Sequence, residues 1–347
     1  MAFETDRAIV RQAVTGDPAF AGLDLSAPLA DMDASQTRDA FLLAAMRVLA
    51  CGGNGHSRVI PNAAIRVWPV RIVARGAGFV LIDKGVARAL HAVNGEPVAA
   101  VLDRLRPCLA GTAARQTVIG GLPMAWPAAI GTRDVTYTLG DGTLAYGSDA
   151  LVPAAPLYPR GEIGGADPDT DQWACAAPVH WDAPVWHIRI ARLDVDLPDG
   201  LADAVLDRPD ANIVIDLRGN AGGNFLRVLP IIATLRAGWR GRRMAVCVDR
   251  FTFSAAIVSA VLFQHHLGAR LFGEAMGDGL QFWAEGDTID LPDTGAHVRW
   301  SSAWHDWETG LAHPTTPPEI AAHLVATGPL QITPCADGSA ARAWVAG

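Results

Sequence analysis

Two short apolar runs, each ending in an unusual turn, constrain this chain more than any other feature. The first is Ile213-Val214-Ile215-Asp216-Leu217-Arg218, which runs into Gly219-Asn220-Ala221-Gly222-Gly223. The second is Met244-Ala245-Val246-Cys247-Val248-Asp249, which runs through Arg250-Phe251-Thr252-Phe253 into Ser254. β-Branched runs of this length, bounded by turn residues, predict buried parallel strands. Ala255 to Leu267 is almost wholly apolar and stops at Gly268, which predicts a helix opening directly after the serine. Repeated strand–helix–strand units from Val185 onward predict an α/β fold with a mostly parallel sheet under helical cover.

The two turns have a chemical use. A serine at the mouth of a helix sits at the positive end of the helix dipole, where a developing negative charge is favoured. Gly222 and Gly223 carry no Cβ, so backbone N–H groups there can come close to a substrate oxygen. A nucleophile on a sharp strand-to-helix turn facing an oxyanion hole works in this way. Ser254 is the candidate nucleophile. The candidate oxyanion donors are the Ala255 N–H and an N–H of the Gly222-Gly223 turn. A base must come from elsewhere. Asp39 to Cys51 has apolar residues at helical spacing and ends at Gly52-Gly53, followed by Asn54-Gly55-His56-Ser57-Arg58. An imidazole on a glycine-rich loop, titrating near neutrality, suits a general base.

Composition removes several other functions. The net charge of −8 argues against nucleic acid as a partner. Cys51, Cys108, Cys175, Cys247 and Cys335 include no C-x-x-C pair, so they form neither a zinc spacing nor a disulfide framework. No metal and no cofactor are expected. Residues 1–15 carry charges and no apolar segment, and Phe41 to Cys51 is too short to span a bilayer, so a cytoplasmic location without a membrane span is expected, or a periplasmic one if a leader has been trimmed away.

Four regions are expected. Residues 1–65 form an N-terminal helical segment with the histidine loop. Residues 66–152 form a small β-rich module, with a tight Asn94-Gly95 turn leading into a helix from Val98 to Leu105 and a hairpin over 135–146. Within that module 107–131 is interrupted by glycine and proline and is expected to be flexible or to face substrate. Residues 153–184 are proline-rich and are expected to form a linker or surface loop. Residues 185–347 form the α/β core.

Asp216-Leu217-Arg218-Gly219-Asn220-Ala221-Gly222-Gly223 and Asp249-Arg250-Phe251-Thr252-Phe253-Ser254-Ala255-Ala256 resemble the S41 peptidase family of C-terminal processing and tricorn-type proteases. The resemblance runs from about Gly52 to Glu319. It implies a ClpP/crotonase-like core of ββα units. Asn94-Gly95 with Pro97-Val98 is similar to the end of the family's PDZ-like module. Two mechanisms occur in that family. In one, a lysine after a Gly-Glu pair activates the serine; here Gly273-Glu274-Ala275-Met276-Gly277-Asp278 carries an aspartate there, and the chain's one lysine, Lys84, lies in the β-rich module. The other resembles tricorn, with a histidine from a Gly-Asp-Gly-His loop and a glutamate near the end of the domain. Gly53-Asn54-Gly55-His56 fits that loop with Asn54 in place of the acid, and Glu308 is the matching glutamate. Ile257 and Phe253 also depart from the family pattern.

These residues imply a serine-type peptidase with Ser254, His56 and Glu308 as its triad and a peptide or protein as its substrate. Asp216 and Arg218 are expected to brace the glycine turn, and Glu274 to make a structural bond. A second reading keeps the scaffold without the chemistry, as a non-catalytic module or pseudoprotease binding an apolar ligand or a peptide. An acyl-CoA enzyme of the crotonase type is a third and weaker reading, because a serine nucleophile is not that chemistry.

Overall fold

The computed structural model describes residues 3–158, 179–197, 200–335 and 338–347. It is a mixed α/β protein with several sheets. The chain divides into two compact units. One contains the residues before 166 together with Trp283–Ala303; the other contains the rest up to Phe282, together with Trp304–Gly347.

The second unit is built on a six-stranded sheet. Its order is Val179–Asp182, Val185–Arg189, Asn212–Asp216, Met244–Val248, Arg270–Gly273 and Ile332–Pro334. The first pair is antiparallel and every later pair is parallel. Val214, Ala245, Cys247 and Phe272 pack against Ala341 and Val345 of the C-terminal helix Ser339–Ala346. Helix Ala255–Leu267 packs against strands Met244–Val248 and Arg270–Gly273 and against helix Leu229–Gly238. Helices on both sides of these strands account for the unbroken apolar runs, since neither face meets water. Pro230 falls in the first turn of its helix, where a missing N–H costs nothing. Gly268 caps the serine helix with φ 67°.

The first unit opens with helices Glu4–Gly16, Ser26–Ala34 and Arg38–Ala50. Thr37 caps the third, its hydroxyl accepting from Ala40 N–H. An antiparallel sheet follows in the order Arg71–Arg75, Gly78–Asp83, Val86–Val93, Val135–Leu139 and Gly142–Tyr146. Asn94 and Gly95 both take positive φ, as a two-residue hairpin turn requires.

Three findings depart from the expected organisation. Residues 107–131 are not a flexible segment: Ala113–Ile119, Gly121–Ala125 and Pro127–Ile130 are helical, and Leu122, Met124 and Trp126 are buried. Gly121 lies so close to the Arg71–Arg75 strand that a Cβ would meet Ile72 O at 2.0 Å, so the glycine read as a breaker is a packing residue. Residues 283–303 group with the N-terminal unit rather than with the C-terminal core. Strand Ala296–Arg299 pairs with Arg58–Ile60, directly after the histidine loop, and the Asp6 carboxylate accepts from Asp293 N–H, Thr294 N–H and the Thr294 hydroxyl. The expected linker, 153–184, lies mostly outside the described residues. At its start Tyr158 is buried, its hydroxyl accepting from Ile72 N–H at 3.0 Å, and at its end Val179–Asp182 is a sheet strand.

Candidate active site

Strands Asn212–Asp216 and Met244–Val248 are parallel neighbours, so the turns that follow them leave the same end of the sheet. Ser254 lies in a four-residue turn closed by Ala256 N–H donating to Phe253 O at 3.1 Å. Its φ of 54° and ψ of −126° mirror the first central position of a type II turn, a conformation that favours glycine. Such a backbone costs on the order of 1–3 kcal/mol and persists only where its surroundings over-determine it. Ser254 occupies the N-cap position of helix Ala255–Leu267, yet its hydroxyl makes no capping bond. The helix is started instead by the Ser254 carbonyl, which accepts from Ile257 and Val258 N–H. A serine present only to cap would use its side chain.

The glycine turn lies directly against this serine. A Cβ on Gly222 would sit 2.8 Å from Ser254 Cβ, 2.8 Å from Phe253 O and 3.2 Å from Ala255 N. Gly223 is pressed against the backbone of Leu193, where a Cβ would meet carbonyl carbon at 2.2 Å. Both glycines take positive φ, 105° and 130°. The N–H groups differ in their commitments. Gly222 N–H donates to Asn220 Oδ1 at 2.8 Å. The N–H groups of Gly223 and Ala255 have no acceptor among the described residues.

Asp216 and Arg218 brace the turn, as expected. Arg218 binds the carboxylate through Nε and Nη2, both at 2.9 Å, and Arg189 Nη1 adds a contact at 2.8 Å. Burial on its own would raise the Asp216 pKa; the bonds to Arg218 and the charge of Arg189 outweigh it, and the carboxyl is held below its ordinary value. Glu274 is likewise structural, its carboxylate accepting from Arg250 Nε at 2.8 Å.

Three residues in the same walls were missed by reasoning from the sequence. Asn220 is fully buried; besides accepting from Gly222, its Nδ2 donates to Ile190 O and its carbonyl accepts from Phe253 N–H. Asp249 accepts from the N–H groups of Gly219, Phe251 and Thr252. Gly277 donates to Thr252 O, and a Cβ there would crowd the Phe253 ring at 3.3 Å, so the bulky residue before the serine is accommodated by a glycine elsewhere. The signal for the first two was present. Asn220-x-Gly222 and Asp249-x-Phe251 have the spacing of a side chain folding onto the backbone N–H two residues on.

The remaining candidates lie on ordered loops. Glu308 is partly exposed in the turn after strand Ala303–Asp306, which is capped by the Asp306 carboxylate. Its neighbour Trp307 meets Phe225 edge-on at 5.3 Å, and Phe225 follows the glycine turn by two residues. His56 belongs to the N-terminal unit. It is buried, and its N–H donates to Asn54 Oδ1 at 3.4 Å. Asn54 acts here as a donor: Nδ2 binds Ser57 Oγ at 2.7 Å and Ser301 Oγ at 2.9 Å. The carboxylate of this network is Asp17, which accepts from the Ser57 hydroxyl and from Ser301 N–H. The structure therefore brings Ser254, Ala255, Gly222 and Gly223 together and holds the Glu308 turn in the same unit.

Among the described residues no three His, Cys, Asp or Glu side chains gather as they would to hold a metal ion. Among them no helix is long and apolar enough to cross a membrane.

No family model and no curated protein matches the chain. Solved structures do. A crystal structure of the CPAF S499A mutant matches with a TM-score of 0.57 at 11% identity, over 86% of this chain and 88% of that one. Mature CPAF complexed with lactacystin matches at 0.54 and 13% identity, over 86% and 88%. Mature CPAF on its own gives 0.54 and 13%, over 86% and 87%. At these identities the likeness is one of fold.

Proposed function

We propose that this protein is a serine peptidase that hydrolyses peptide bonds through an acyl-enzyme. One observation carries the reading. Ser254 is held in a strained turn with its hydroxyl uncommitted to the helix it opens, against a glycine turn with no room for a Cβ. Ser254 Oγ attacks the scissile carbonyl carbon. The developing oxyanion is held by the N–H groups of Ala255 and Gly223, and Gly222 lets the two turns approach. Each such donor is worth about 3 kcal/mol of barrier.

A serine hydroxyl needs a base. His56 is assigned that role from its sequence context. It takes the Oγ proton and returns it to the leaving amine; water, activated in the same way, then releases the acyl group and restores the serine. Glu308 is assigned to orient the imidazole and favour its charged form. This tricorn-like arrangement is preferred to a Ser/Lys dyad because Lys84, the one lysine, sits at the tip of a hairpin with φ 48°. The same reading takes the C-terminal unit as a ClpP/crotonase-like core and 66–152 as a degenerate PDZ-like module.

A fluorophosphonate probe tests the reading. It labels Ser254 in the native protein, and labelling disappears in Ser254→Ala and His56→Ala. Absence of labelling from mildly acidic to mildly alkaline pH in the folded protein refutes the peptidase and favours the binding module.

A further inference from the structure

Asp249 has no role in the chemistry described above, yet four donors from the two turns converge on it, as many as meet Asp216. We propose that Asp249 is a positioning residue of the serine site: its carboxylate clasps the glycine turn to the nucleophile turn and so fixes the spacing of Ser254 and its oxyanion donors. The inference rests on the serine-peptidase reading and adds a residue to it.

The clasp has two arms. Toward the glycine turn, Gly219 N–H is shared between the two carboxylate oxygens, at 3.0 Å from Oδ1 and 3.1 Å from Oδ2. Toward the nucleophile turn, Oδ1 takes Phe251 N–H at 3.0 Å and Thr252 N–H at 2.9 Å. The Thr252 hydroxyl lies 3.2 Å from Oδ1 and 3.1 Å from Leu217 O, so it can serve either turn. Thr252 is fully buried and Asp249 is 8% exposed, so water does not stand in for these bonds. Two residues after Thr252 comes the strained backbone of Ser254. A residue in that conformation needs rigid neighbours, and the carboxylate supplies them by fixing three backbone N–H groups on two different turns.

A carboxylate meets this set of donors with an acceptor on each oxygen, Gly219 N–H lying between the two. An asparagine keeps Oδ1 for the nucleophile turn but presents an NH2 to Gly219, donor against donor. The glycine arm then opens while the nucleophile arm stays. Gly223 lies four residues along that arm, and a displacement on the order of 1 Å at a reacting centre costs about a hundredfold in rate.

The test uses the full chain and three readouts: the fluorophosphonate labelling rate of Ser254, the melting temperature, and hydrogen exchange of the Gly219 amide. In wild type the Gly219, Phe251 and Thr252 amides exchange slowly as a set. In Asp249→Asn, labelling slows about a hundredfold and Gly219 exchange accelerates while Phe251 stays protected. Labelling within twofold of wild type in folded Asp249→Asn overturns the proposal. So does slowed labelling with Gly219 exchange unchanged. If the variant does not fold, the wild-type exchange decides: a Gly219 amide that exchanges as fast as an exposed one overturns the clasp. A wild type that is never labelled removes the peptidase reading, and this proposal with it. A labelled wild type and an equally labelled variant remove this proposal alone.

Discussion

Gly222→Ala is the most informative single change in this protein. The added methyl would lie 2.8 Å from both Phe253 O and Ser254 Cβ, whereas ordinary contact begins at 3.4 Å, so one turn must retreat by 0.6 Å. None of these neighbours is the tip of a flexible side chain. Gly222 is also at φ 105°, which costs an L-residue roughly 1–2 kcal/mol. Overpacking adds about 1–3 kcal/mol. The turn is anchored behind by Leu193, which donates to Gly222 O at 3.1 Å, so the strain is borne between the two turns rather than shed into solvent. Stability of the C-terminal unit should fall by about 2–5 kcal/mol. In the fraction still folded, the Gly223 donor is displaced, and losing one oxyanion donor costs about 3 kcal/mol, or 10²- to 10³-fold in rate. Thermal unfolding and the fluorophosphonate labelling rate, measured together, give both numbers. A variant that melts with wild type and labels at the wild-type rate would show that the two turns do not meet as described, and the oxyanion assignment would go with them.

Asp249 makes a prediction for acid. Burial pushes its pKa up to about 6, against the bonds from Gly219 and Thr252, and Asp216 nearby adds to the rise. A carboxyl raised in the folded state binds protons there that the unfolded chain does not, so this group's contribution to stability falls as pH rises from about 4 to 6, by about 3 kcal/mol in all. Denaturant titrations between pH 4.5 and 7.5 should show that slope in wild type and its loss in Asp249→Asn; equal slopes would refute the shift. Asp216 behaves in the opposite sense, because its folded pKa is lowered: its contribution is present above the unfolded value and is lost as pH falls through the folded one. Asp216→Asn leaves Arg189 and Arg218 facing a neutral amide, and should cost about 3–5 kcal/mol at neutral pH, read as a drop in denaturant midpoint. In the other unit, Asp6→Ala strands the buried N–H of Thr294 and should cost about 1–3 kcal/mol, while the N–H of Asp293, an exposed residue, can turn to water. Faster hydrogen exchange at those two amides is the check, and unchanged protection would show that the Asp6 bonds carry no stability.

Much of the C-terminal unit is legible in the chain. The helix predicted for Ala255 to Leu267 has those limits in the structure, because an apolar run ending in glycine is a local signal. The strands at 212–217 and 244–249 are each one residue shorter than expected. Phe253 and Ile257 depart from the family's residues, and both are buried apolar groups here. The misreadings come from long-range packing. Gly120, Gly121 and Pro123 suggest irregular chain at 107–131, but Gly121 is where a helix meets the backbone of Ile72. Residues 283–303 interrupt the core in sequence, yet strand Ala296–Arg299 among them pairs with Arg58–Ile60, more than two hundred positions earlier. No local pattern encodes such a partner.

The sequence by itself determined the parallel strands, the serine at a helix mouth and the glycine turn beside it, because periodicity, caps and glycine act within a few residues. Only the tertiary structure decided which N–H groups of that turn are uncommitted, that Asn220 and Asp249 hold its walls, and that the carboxylate of the histidine loop's network comes from Asp17. Those outcomes depend on where buried donors find acceptors, and burial is a property of the packed chain.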